Sequence, residues 1–176
     1  MPPIDDHQKL RKHVLRLSKL HAYSVAFIAG SFGLLCVVLL EPAGIIVGGA
    51  VTAAGVMEIR GHRRLETGSP GAREWMVGSQ VWLILCVMAY CGWRLWSFDP
   101  EDPLAILGDA ELLRSTAEQA LIPEGMLEDL VTRIYTLTYK LVAAATLVLQ
   151  GGLAAYYWVK VGRLEAAAGS VTDPAR

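Results

Sequence analysis

HAYSVAFIAGSFGLLCVVLLEPAGIIVGGAVTAAGVMEI, residues 21–59, is the stretch on which the fold turns. Between His21 and Glu58 the only charged side chain is Glu41. A helix at a protein–water surface shows a polar face every turn, and this stretch shows none, so it reads as membrane-spanning. Glu41-Pro42 divides it, because proline cannot continue the helical hydrogen-bond ladder and turns its predecessor away from helix. The first span is expected over 22–40 and the second over 43–59. The second, 17 residues long, would reach about 25 Å at 1.5 Å per residue, enough for a thin hydrocarbon core. Together they predict a tight antiparallel hairpin.

Small residues recur through this hairpin. Gly44, Gly48 and Thr52 fall four apart, Gly49 and Gly55 widen that face, and the first span offers Ala26 with Gly30 and Ala29 with Gly33. Helices in lipid gain nothing from hydrophobic burial against each other, so close backbone approach must hold them. Packing within the hairpin is the expected use, ahead of a homo-oligomer interface or a ligand passage.

Outward from the hairpin, residues 1–21 form a basic amphipathic segment. Leu10, Val14, Leu17 and Leu20 share a helical face among Lys9, Arg11, Lys12, Arg16 and Lys19. The segment is too long and polar for a cleavable leader, and reads as part of an uncleaved anchor. Residues 60–74 read as a polar loop around Gly68-Ser69-Pro70-Gly71. A third span, 75–98, has Trp75 at one end and Trp93 and Trp96 at the other, as aromatic belts require. Residues 99–133 carry nine acids against Arg114 and Arg133, and are expected to form a helical cap outside the membrane. Its apolar stripe continues through Leu127, Leu130, Val131 and Ile134 into a fourth span over 134–159. The tail, 160–176, is expected to fray.

Orientation follows from Lys and Arg. Five lie in the N-terminal segment, four in the 60–74 loop and three in the tail; Arg94, Arg114, Arg133 and Lys140 lie elsewhere. Only an even number of spans with both termini cytoplasmic reconciles these counts, and a bacterial inner membrane is the expected location. The fold class is therefore an all-α integral membrane protein of four transmembrane helices.

No motif ties these residues to a reaction. Cys36, Cys86 and Cys91 all fall in apolar stretches, so they read as packing residues, not the loop pairs that a disulfide relay needs. The glycines sit in apolar helices without the strand and lysine of a phosphate cradle, and nothing basic and aromatic is interleaved for nucleic acid. His21, Glu58 and His62 share a depth, and Glu58 and His62 are four apart. The trio is chemically adequate for zinc or one axial haem ligand, but interfacial polarity is the better account. Gln150 is the strongly polar group expected deep within a span, where an amide seeks an interhelical partner. Glu118, Glu124 and Glu128 of the acidic segment form the expected interaction surface. The leading expectation is a non-enzymatic interaction or accessory module without catalytic residues, cofactor or metal. Its partners would be the bilayer and a membrane protein or second copy. An oligomeric channel or carrier for a small cation comes next, then a quinone- or haem-binding subunit.

Overall fold

The computed structural model describes residues 4–38, 42–99 and 124–172. Among them the secondary structure is four helices: α1, Ile4–Val38; α2, Pro42–Thr67; α3, Ala72–Trp96; and α4, Glu124–Thr172. Each is long and apolar enough to cross a membrane. The chain divides into two compact units, one of residues 1–87 with 146–176 and the other of residues 88–145.

Three expected boundaries move. The basic N-terminal segment is no separate helix, because α1 runs through it without interruption to Val38. Helix α2 likewise overruns its apolar stretch and ends at Thr67, so the loop expected over 60–74 shrinks to a turn. The stop signal is local. Gly68 adopts φ 70°, its N–H reaches Leu65 O at 3.3 Å, and the Ser69 N–H reaches Arg64 O at 2.8 Å. This paired capping pattern needs a left-handed residue just past the helix end, and glycine supplies it at least steric cost. Arg11 of α1 adds a side-chain cap, its Nη2 donating to Leu65 O and Glu66 O at 3.2 and 2.8 Å. Finally, the tail continues α4 as far as Thr172, and Val161 within it is fully buried. Part of the reason is Glu165, whose Oε1 accepts from the N–H groups of Ala72 and Arg73 at 2.8 and 3.3 Å. Those amides open α3 and have no partner within their own helix. As far as Thr172 the tail is thus helical, and Glu165 fastens it where fraying was expected.

In the first unit, α1 and α2 meet along their small residues. A Cβ placed on Gly48 would lie 2.6 Å from Gly33 Cα, and one on Gly55 would lie 2.9 Å from Ala26 Cβ. Gly44 is buried on the same side of α2. Farther along α2, a Cβ on Gly61 would meet Met76 of α3 at 2.5 Å. The apolar core is small and lies toward this end: Val14, Leu65, Ala72, Met76, Tyr157 and Val161. Elsewhere large apolar side chains remain uncovered, among them Phe27 at 75% and Val148 at 73% exposure.

Candidate functional site

Glu58 projects from α2 into the interior of the first unit and is 1% exposed. An ionised carboxylate removed from water costs several kcal/mol unless partners replace its hydration. Here the three other helices supply them. Tyr157 of α4 donates its hydroxyl to Oε1 at 2.6 Å. Gln80 of α3 donates from Nε2 to Oε2 at 2.9 Å. His21 of α1 brings Nδ1 to the same Oε2 at 2.7 Å. The short Tyr157 bond has the length of a charge-assisted contact. With Glu58 ionised, the His21 Nδ1–H donates, and an imidazolium there would neutralise the buried charge.

Access is unequal. The Glu58 side chain is 2% exposed and that of His21 21%, so His21 stands between the carboxylate and solvent. Tyr157, Gln80 and Ser79 are buried beside it. Ser79 donates to Met76 O at 2.8 Å and accepts from Gln80 Nε2 at 3.2 Å, which holds the amide in place.

The structure thus brings His21 and Glu58 together. His62 follows one turn along α2, also buried, but its Nδ1 finds no hydrogen-bond partner among the described residues. Among the described residues, no three His, Cys, Asp or Glu side chains are grouped as a metal ion would need. Gln80 and Tyr157 escaped the sequence reading. Gln80 lies only a turn and a half into its span, where a polar side chain reads as interfacial, and Tyr157 sits in a Tyr-Tyr-Trp cluster that reads as an aromatic belt. The available signal was depth: Gln80 and Glu58 lie at matching distances from the short turn that joins α2 to α3.

The remaining candidates scatter. Gly30 and Gly33 face α2, where a Cβ on Gly30 would lie 3.9 Å from Thr52 Oγ1 and one on Gly33 would lie 3.5 Å from Gly48 Cα. The Thr52 hydroxyl donates to Gly48 O at 2.7 Å along its own helix. Gly49, expected on the packing face, has nothing within 4 Å of its Cβ position. At 100° per residue it lies well around α2 from Gly48. Gln150 does not find the interhelical bond expected of it; its Oε1 has no partner among the described residues. Glu118 lies outside those residues, and Glu124 and Glu128 fall in the first turns of α4. Cys36, Cys86 and Cys91 form no disulfide.

Two further features bear on function. Near the turn between α2 and α3, Arg60 and Arg64 lie over the Trp75 ring at 5.5 and 5.8 Å, and Arg73 lies over Trp158 at 4.5 Å. Stacking on the ring faces keeps these guanidiniums beside aromatic surface. An apolar groove of about 330 Å³ is lined by Val25, Ile28, Ala29, Val47, Gly48, Val51 and Leu83. Its lining offers no polar side chain to orient a ligand.

In the second unit, Arg94 Nε donates to Tyr139 Oη at 3.2 Å and Tyr135 Oη donates to Arg94 O at 3.1 Å. Phe98 stacks on Tyr135 with ring centroids 4.7 Å apart. Half-buried, Arg94 lies over the rings of Trp93, Tyr135 and Tyr139 at 6.0, 5.7 and 5.9 Å.

Comparison with family models, with curated proteins and with solved structures finds no match.

Proposed function

We propose that this chain is a four-span membrane protein with both termini cytoplasmic, acting as a non-enzymatic interaction or accessory module. The observation that carries the reading is the engagement of Glu58. Both of its oxygens accept hydrogen bonds from the chain's own side chains. This buried carboxylate therefore ties the helices together. A cation carrier would ask for carboxylate oxygens with room for the ion, and a haem or zinc subunit for imidazoles that converge. Insertion is supported by the uncovered apolar side chains of all four helices, which water would disfavour and lipid would not. The Arg–Trp stacks near the turn between α2 and α3 suit a cytoplasmic headgroup boundary.

The recognition surface in this proposal is the acidic segment that includes Glu118, Glu124 and Glu128. The test uses tagged full-length protein, crosslinked in membranes and isolated in mild detergent beside the triple variant Glu118→Lys, Glu124→Lys, Glu128→Lys. A discrete partner, or a second copy, should accompany the wild type and be lost from the correctly folded variant. Reporter fusions should place Arg64 and Arg176 in the cytoplasm and Ser115 across the membrane. Partner recovery indifferent to the charge reversal would remove the acidic surface from the account, and a cytoplasmic Ser115 would remove the topology.

A further inference from the structure

Around Glu58, several buried polar atoms are left over. Ser18 Oγ, His62 Nδ1 and Gln80 Oε1 lack a hydrogen-bond partner among the described residues, and their residues are 0%, 9% and 1% exposed. Each belongs to the surroundings of one carboxylate. Gln80 is bonded to Glu58 through its other amide atom. His62 is one turn from Glu58 on α2. Ser18 is one turn from His21 on α1, and lies beside the Tyr157 hydroxyl without a hydrogen bond of good geometry. A carboxylate that served only as a clamp would leave its neighbours satisfied. Leftover donors and acceptors in a buried polar cluster are the usual lining of internal water.

We propose that the Glu58 cluster is a proton-binding site with internal water, loaded from solvent through His21. The proposal stands on this cluster alone and does not depend on the partner reading above. The step conserves atoms and charge. A hydronium ion protonates His21 at Nε2 and departs as water; the Nδ1 proton then passes along the 2.7 Å contact to Glu58 Oε2. This leaves a neutral imidazole protonated at Nε2 and a neutral carboxylic acid. Water held by Ser18, Gln80 and His62 solvates the acid in either state.

The groups that set its titration come from every neighbouring helix. His21 faces Glu58 from α1, His62 from α2 and Tyr157 from α4, while α3 contributes Gln80 and Ser79, which do not titrate. Lys19, Arg63 and Glu66 act through His62.

The experiment is an infrared pH titration of full-length protein in proteoliposomes, comparing wild type with Glu58→Gln and His21→Asn. The wild-type-minus-Glu58→Gln difference should contain one carboxylic acid band that grows on acidification and shifts in D₂O. His21→Asn should change the pH at which this band appears. Because either variant could fail to fold, the wild type is also followed by nitrogen NMR of its four histidines. One imidazole should titrate in step with the carboxyl band, and water should transfer magnetisation to the Gln80 amide. A Glu58 that stays ionised until the protein unfolds, or a midpoint indifferent to His21→Asn, would overturn the proton site. Absence of water transfer to Gln80 would overturn the hydrated lining.

Discussion

Replacing Gly48 with alanine, beside the same change at Gly49, isolates the close backbone contact between α1 and α2. The neighbouring glycines share one helix, so the gain from replacing glycine within a helix, about 0.8–1.0 kcal/mol, is common to both and cancels. The surroundings are opposite. At Gly48 the new carbon would stand 2.6 Å from Gly33 Cα, 3.0 Å from Gly33 N and 3.3 Å from Ala29 O, all backbone atoms. Carbon atoms normally rest about 3.5–4.0 Å apart, so α1 would have to retreat by roughly 1 Å, since no flexible side chain can swing aside. At Gly49 nothing lies within 4 Å. Overpacking of this kind costs about 1–3 kcal/mol, so Gly48→Ala should be less stable than Gly49→Ala by that amount, roughly 5- to 150-fold in the folding equilibrium. The assay is reversible unfolding in mixed micelles, with helicity and tryptophan emission followed together. Equal stability of the two variants would refute the packing of α1 on α2 through Gly33 and Gly48.

Two further substitutions probe the helix ends. Glu165→Ala removes the acceptor from Ala72 N–H and Arg73 N–H and should destabilise by about 0.5–2 kcal/mol in the same unfolding assay, with amide exchange rising first at residues 72 and 73. Gly68→Ala forces a side chain into a φ of 70° and should cost about 1–2 kcal/mol, whereas Gly125→Ala, with nothing within 4 Å, should not destabilise.

Four long apolar helices were legible because charge is so unevenly distributed along the chain. Their lengths were less so. A hydropathy boundary marks where apolar side chains stop, but a helix stops where its carbonyls find other partners. For α2 that point is Gly68, nine residues beyond the expected end of the span. The same gap explains the tail: nothing local in 160–172 announces that Glu165 will cap a helix 93 residues earlier. The site was half legible. His21 and Glu58 could be suspected of sharing a depth, but their meeting depends on the angular register of α1 against α2. That register is set by the Gly33–Gly48 and Ala26–Gly55 contacts and not by either residue. Gly49 failed for a related reason, since a run of small residues wraps around a helix and only part of it can face one neighbour.

The cap on α3 has a bearing on how the protein is made. Glu165 and Tyr157 are both furnished by α4, which leaves the ribosome after α1, α2 and α3, and they serve the opening amides of α3 and the carboxylate of α2. Until α4 arrives, a nascent chain of three helices holds an uncapped helix start and a Glu58 lacking one of its donors. Such a chain is an incomplete assembly with polar groups left exposed. Closure of this interior therefore waits for α4, and a chain cut before Glu165 should be degraded faster than the full chain although α1, α2 and α3 remain intact.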